Sequence, residues 1–277
     1  MPSPLISAAV LAERLDAEPR PTLLDVRYDV TAGPQPEAYE RGHIPGAVFI
    51  DLDHDLASAP GAGGRHPLPT AQRFMSAMRA AGVDGNRPVV VYDDSAGLMA
   101  ARAWWLLRYF GHSDVTLLDG GLASWTAAGG RLCTGPNAVP TRGTFTAHPG
   151  GMPILDAPRA AALATAGVLL DARAPERFRG EIEPLDPVAG HIPGARNHST
   201  RDNVTDAGRF KDPDALKQAF AAAGADPGTE VGAYCGSGVT AAHQVLALEL
   251  AGITAALYPG SWSEWIADPS RPVATGP

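Results

Sequence analysis

Cysteine is scarce in this chain, with Cys133 and Cys235 the only two among 277 residues. Two cysteines make no disulfide framework, and no run of closely spaced Cys and His offers the ligands of a structural zinc site. Long apolar runs are lacking too. Stretches such as Val89–Val91 and Leu246–Ala251 fall far short of the roughly 20 residues that a membrane helix needs. No basic segment followed by an apolar one opens the chain in the manner of a secretory leader. The expected setting is therefore a reducing cytoplasm, with no membrane, no metal and no cofactor. Basic runs are also absent, and the formal net charge is −8. Nucleic acid is not an expected partner, because phosphate contacts depend on concentrated Lys and Arg. A small anionic ligand is compatible with this charge if a local group of cations receives it.

The chain does have apolar residues in quantity, 45% of the total, enough for a core in each of two ordinary domains. It also repeats itself. The first half carries Leu23-Leu24-Asp25-Val26-Arg27, Gly42-His43-Ile44-Pro45-Gly46-Ala47, Val89-Val90-Val91-Tyr92 and Gly120 to Trp125. The second carries Leu169-Leu170-Asp171-Ala172-Arg173, Gly190-His191-Ile192-Pro193-Gly194-Ala195, Val231-Gly232-Ala233-Tyr234 and Gly260 to Trp265, in the same order. Such self-similarity marks two copies of one architecture. Within each copy, short apolar runs ending in Asp or Tyr read as buried strands, and Ala/Leu-rich periodic runs read as helices. The alternation predicts an α/β fold with a mostly parallel sheet flanked by helices. Ala100–Phe110 and Thr240–Ala251 are the helices expected after the tyrosine-ended strands, stopped by Gly111 and Gly252. The stretch from Gly129 to Pro153, dense in Gly, Pro and Thr, reads as a linker. The expected organisation is a domain over 1–128, a linker over 129–153 and a domain over 154–277.

The chemistry concentrates at Cys235-Gly236-Ser237-Gly238-Val239-Thr240. The sulfur stands between a strand ending at Tyr234 and a helix starting near Val239. Two glycines let the backbone curl so that successive N–H groups point inward, and a helix N-terminus adds unpaired donors. Such a cradle stabilises an anion, whether a thiolate or a persulfide. The matching loop of the first half, Asp93-Asp94-Ser95-Ala96-Gly97, has Asp at the cysteine position. One active and one inactive domain is the expected arrangement. Cys133, in the linker, reads as inert. A tyrosine-phosphatase-like enzyme would need an arginine at the sixth position after the nucleophile to clamp phosphate, and that position is Ala241. Sulfur transfer is the stronger reading of the loop. A phosphatase-like cysteine enzyme and a noncatalytic binding module that keeps the fold are the alternatives.

On these residues the sequence resembles the tandem rhodanese-domain sulfurtransferases over nearly its whole length. The resemblance implies two rhodanese-like domains, the first inactive and the second catalytic. Cys235-Gly236-Ser237-Gly238-Val239-Thr240 is similar to the loop of the mercaptopyruvate enzymes, whereas thiosulfate-preferring members place an Arg-Lys pair after the cysteine. The implied reaction takes sulfur from 3-mercaptopyruvate or thiosulfate onto Cys235 and passes it to a thiol, which can be a protein thiol, or to cyanide. The family's triad maps onto Ser237, His66 in His66-Pro67-Leu68-Pro69, and Asp53 in Asp51-Leu52-Asp53. Gly236, Gly238, Val239 and Thr240 supply the cradle. Arg177 in Glu176-Arg177-Phe178-Arg179 matches the arginine that binds the donor's anionic end, and Arg179 is expected to add charge. A planar fork suits a carboxylate. Mercaptopyruvate enzymes usually carry a second arginine nine residues after the first, where this chain has Asp186. Loop and arginine pattern thus point to different donors, with Arg196 or Arg201 the candidates to compensate. His43 and His191, present in both halves, read as structural, His243 as a packing residue and Trp265 as core; Trp262 is a candidate wall of the pocket.

Overall fold

The sheets are made from the runs that show no polar alternation. In the computed structural model, which describes residues 3–137 and 140–277, Thr22–Asp25, Val89–Tyr92, Val168–Asp171 and Val231–Tyr234 are strands buried at every position. Strands buried on both faces must be covered by helices on both faces, the condition under which parallel sheets occur. Residues 1 and 2 of the expected first domain, and 138 and 139 of the expected linker, lie outside the described residues.

The chain divides into two compact units, one of Met1–Ser58, Pro69–Met152 and Asp206–Arg209, the other of Ala59–Leu68, Pro153–Thr205 and Phe210–Pro277. In the first, five strands run in the order Leu5–Ile6, Val115–Leu118, Val89–Tyr92, Thr22–Asp25, Val48–Phe49, every pairing parallel. In the second, the order is Ala255–Leu257, Val231–Tyr234, Val168–Asp171, Arg196–Asn197, again parallel throughout. Ile154 forms a parallel bridge to Leu257 at the edge that Leu5–Ile6 occupies in the first unit. The α/β architecture expected from the repeat is present twice.

Helices start at side-chain caps, with Ser7, Thr70, Asp156 and Asp212 each accepting the backbone N–H three residues on. Each such cap is worth about 1 kcal/mol. The helices after the tyrosine-ended strands run Ala100–Tyr109 and Thr240–Leu250. Gly111 and Gly252 follow them in the left-handed region (φ +95° and +77°), where a side chain would be strained. Among the described residues from Gly129 to Pro153 there is no helix or extended strand, yet the segment is fixed to the first unit. Cys133 and His43 exchange both backbone hydrogen bonds (2.9 and 3.0 Å), Gly143 donates to Arg79 and Phe145 to Val83, and the Phe145 ring is buried.

The repeated motifs tie each sheet to the loop beside it. Arg27 pairs with Asp25 and donates to the Gly42 carbonyl; Arg173 pairs with Asp171 and donates to the Gly190 carbonyl. Ile44 and Ile192 donate their N–H groups to the hydroxyls of Tyr92 and Tyr234. His43 stacks on Tyr39 and His191 on Phe178, with ring centroids 4.0 and 3.7 Å apart and Nδ1 of each facing the main-chain carbonyl of the residue it stacks on. Burial, reinforced by the Asp171 carboxylate, holds the Tyr234 phenol well above its ordinary value, so it stays a neutral hydrogen-bonding strut.

Candidate active site

Strand Val231–Tyr234 delivers Cys235 to its C-terminal end, and helix Thr240–Leu250 begins five residues later. Open parallel α/β sheets hold their ligands at this end of the strands. The thiol is buried, 2% exposed, and the backbone N–H of Gly238 donates to its Sγ at 3.2 Å. Gly238 has φ +78°, and a side-chain carbon there would overlap the Pro259 carbonyl oxygen. Only glycine fits a turn this tight. Val239 is the helical residue before Thr240 and is buried.

The segment after the last strand holds the loop's shape, which the residues of the loop do not reveal by themselves. Ser261 Oγ accepts the Cys235 N–H (3.1 Å) and donates to the Tyr258 carbonyl (2.9 Å). Trp262 and Ser263 donate their N–H groups to the carbonyls of Cys235 and Gly236 (3.0 and 2.9 Å). With those carbonyls occupied on the far side, the Gly238 N–H is turned toward the sulfur. Ser261 is a non-glycine residue at φ +54°, and its first-unit counterpart Gly121 has φ +55°. The signal for this role lay in the repeated stretch Gly120 to Trp125 and Gly260 to Trp265. Trp262 is wholly buried, with its indole N–H on the Val188 carbonyl and the Arg173 guanidinium 4.8 Å from the ring centroid. It is a core residue and not a pocket wall. Trp265 and Trp125 are likewise buried.

The first unit builds the same cradle and fills it. Asp93 Oδ1 accepts from the N–H groups of Ser95 and Gly97, and Oδ2 from those of Met99 and Ala100, at 2.8 to 2.9 Å. A fixed carboxylate thus occupies the space where the second unit carries sulfur.

Around Cys235, Nδ1 of His66 lies 2.7 Å from Ser237 Oγ. Asp53 belongs to the first unit, in the short helix Leu52–Asp55, its Oδ2 3.8 Å from where a Gly33 side chain would begin. Arg177 faces the loop from Pro175–Phe178: a side-chain carbon at Gly236 would lie 3.5 Å from its Nη2. Glu183 orients it through two hydrogen bonds (3.1 and 2.6 Å), and Asp186 Oδ2 approaches at 3.4 Å. Arg179, expected beside it, forms a solvent-exposed pair with Glu181. The guanidinium that accompanies Arg177 over Gly236 belongs instead to Arg65. Arg196 donates to the Ala223 carbonyl, and Arg201 is an exposed residue of the 3-10 turn Thr200–Asn203. His243 is buried and stacked on Phe210, a packing role. Ala241 is buried in its helix. Among the described residues, no group of three or more His, Cys, Asp or Glu is arranged to hold a metal ion, and no helix is long and apolar enough to cross a membrane.

The sequence profile of the rhodanese-like domain matches residues 7–128 and again 156–268. The chain belongs to the rhodanese-like family, as two tandem domains. It is 50% identical to a Pseudomonas aeruginosa protein provisionally named 3-mercaptopyruvate sulfurtransferase, over 98% of both chains. It is 46% identical to a Mycobacterium tuberculosis protein provisionally named thiosulfate sulfurtransferase SseB, over 98% of this chain and 97% of the other. The crystal structure of the mercaptopyruvate enzyme SseA from Escherichia coli superposes with a TM-score of 0.83 at 34% identity, covering 94% of this chain and 99% of that one. The protein is an enzyme of the sulfurtransferase class.

Proposed function

We propose that the second domain, 154–277, carries out sulfur transfer at Cys235 and that the first, 1–128, is inactive, joined to it by 129–153. The observation that carries this reading is the Gly238 N–H directed at Cys235 Sγ in a loop faced by Arg177, while the first-domain loop holds a carboxylate in the same place. The thiolate of Cys235 attacks the sulfur of a small anionic donor. A bond forms between the two sulfurs, the donor's carbon–sulfur bond breaks, and the thiol proton of mercaptopyruvate ends on the departing carbon to give pyruvate. From thiosulfate the leaving group is sulfite. An acceptor thiolate, free or on a protein, or cyanide then attacks the outer sulfur and regenerates Cys235. The scheme balances without a cofactor or metal. Ser237 and His66 polarise the donor, and the family resemblance adds Asp53 to them. Gly236, Gly238, Val239 and Thr240 hold the persulfide. A cytoplasmic setting agrees with an unpaired reactive thiol.

For the donor we propose 3-mercaptopyruvate ahead of thiosulfate. The loop Cys235-Gly236-Ser237-Gly238-Val239-Thr240 resembles that of the mercaptopyruvate enzymes and lacks the Arg-Lys pair of the thiosulfate-preferring ones. The names of the two bacterial relatives divide between the donors, so kinetics must choose. The test is intact-mass analysis after incubation with each donor, followed by kcat/KM for both. Wild-type protein gains the mass of one sulfur, Cys235→Ala does not, and mercaptopyruvate gives the higher kcat/KM. A protein that never gains sulfur and never yields thiocyanate from cyanide ends the reading. Arg177→Ala lowers kcat/KM by about tenfold to a hundredfold, the value of a charged hydrogen bond.

A further inference from the structure

Two guanidinium groups stand over the cysteine loop. A side-chain carbon at Gly236 would lie 2.9 Å from Nη2 of Arg65, nearer than either terminal nitrogen of Arg177. Between the two arginines lies the carboxylate of Asp186, only 3% exposed, with Oδ1 on Nη1 of Arg65 and Oδ2 toward Nη2 of Arg177. The stretch Ala59–Leu68, which carries Arg65, belongs to the same compact unit as Cys235, so these contacts are internal to that unit.

The backbone at Arg65 is held as firmly as its side chain. Its N–H donates to Ser263 Oγ (3.0 Å), that hydroxyl donates to the Gly260 carbonyl (3.2 Å), and the Ser263 N–H holds the Gly236 carbonyl (2.9 Å). Gly64, at φ +97°, has no room for a side chain: one would begin 2.7 Å from Ser263 Oγ and 2.8 Å from the Gly260 carbonyl. Arg65 is thus anchored to the very segment that shapes the Cys235 loop. A surface arginine that merely solvated itself would need none of these ties. Its side chain is 30% exposed, and Asp186 holds its Nη1.

We propose that Arg65 binds the donor. Its guanidinium and that of Arg177 together receive the anionic end of the molecule, and Asp186 is the positioning residue that aims Arg65 at the loop. The proposal rests on the sulfurtransferase reading above. It also explains Asp186: the cation that an arginine would bring at position 186 comes here from position 65, and the carboxylate at 186 is what holds it there. Two planar forks joined through a buried carboxylate suit a small carboxylate or sulfonate monoanion, which accepts hydrogen bonds from both.

The experiment measures the rate of persulfide formation, by intact mass, as a function of mercaptopyruvate concentration. The variants are Arg65→Ala, Arg65→Lys and the double variant Arg65→Ala/Asp186→Arg, each with its thermal midpoint. Arg65→Ala is expected to raise the donor concentration for half-maximal loading by about tenfold to a hundredfold. Arg65→Lys recovers part of that loss, and the double variant, which moves the cation to position 186, recovers part as well. The thermal midpoint falls in Arg65→Ala, which leaves the buried Asp186 without its nearest cation, and is restored in Arg65→Lys. Wild-type loading kinetics in Arg65→Ala would overturn the proposal. So would an equal loss in all three variants accompanied by a lowered midpoint in each, which would make Arg65 a structural tie. A wild-type protein that never gains sulfur overturns the sulfurtransferase reading first, and this proposal with it.

Discussion

His66 Nδ1 and Ser237 Oγ lie 2.7 Å apart although 171 positions separate them in the chain. The serine belongs to the cysteine loop and the histidine to the short stretch Ala59–Leu68 that joins the second unit. In the proposed reaction, this hydroxyl, held by an imidazole two residues beyond the nucleophile, hydrogen-bonds the donor carbonyl. Ser237→Ala and His66→Ala should each lower kcat/KM for mercaptopyruvate by about tenfold to a hundredfold. The double variant should lose little more than either single one, because the pair acts as a unit. Steady-state kinetics of the four proteins measure this, and fully additive losses would separate the two residues.

Cys235→Ser should end sulfur loading while leaving the fold intact, since the exchange of sulfur for oxygen opens little space in the buried turn. Intact mass before and after donor, together with a thermal melt, reads both effects. Loading at another residue in this variant would reassign the nucleophile.

Gly238→Ala should damage both stability and loading. The residue sits at φ +78° against the Pro259 carbonyl, so a methyl group forces the turn to move, at a cost of about 1–3 kcal/mol. Urea denaturation gives the stability change. A variant with wild-type midpoint and wild-type loading would show that the turn tolerates another conformation.

Asp93→Ala should destabilise the first unit, because four backbone N–H groups lose the carboxylate that satisfies them. The expected cost is about 2–4 kcal/mol, read by denaturant titration, with Asp93→Asn falling between. An unchanged midpoint would mean that water replaces the carboxylate without loss.

Acid should weaken the protein through His198. Burial holds its pKa below the ordinary histidine value, against the opposing hydrogen bond that its Nε2 donates to Asn203 Oδ1; the ring also packs on Phe220 with centroids 4.5 Å apart. The folded chain therefore keeps this ring neutral, while the unfolded chain protonates it near pH 6.5. Stability is full above that value and is lost as pH falls from there toward the lower folded value. His198→Gln should flatten the dependence of the denaturation midpoint on pH between about 7 and 5. An identical slope would assign the acid sensitivity elsewhere.

Much of this was legible in the order of residues. The repeated Asp-x-Arg and Gly-His-Ile-Pro-Gly-Ala segments gave away two copies of one fold because each copy must solve the same problem, joining a buried strand end to the loop beside it. Arg27 with Gly42 and Arg173 with Gly190 are the solution, made from short spacings that any reader of the chain can see. Cys235 between a strand end and a turn with Gly236 and Gly238, and Asp93 in its place in the other half, were equally local facts. The family profile, matched once in each half, agrees with two copies of one fold.

Position along the chain alone, however, determined neither what holds the loop nor what surrounds it. Ser261, Trp262 and Ser263 arrange the carbonyls of the loop from more than twenty residues away, through a backbone conformation that sequence patterning does not report. Arg65 reaches Gly236 only because Ala59–Leu68 folds with the second unit, whereas Arg179, close to Arg177 in sequence, pairs with Glu181 in solvent. Composition, periodicity and spacing therefore determined the fold and singled out Cys235 as the proposed nucleophile, since both depend on neighbours along the chain. Which cations face the cysteine loop at Gly236 was decided in three dimensions, because a long guanidinium goes where a buried carboxylate and a glycine leave room for it.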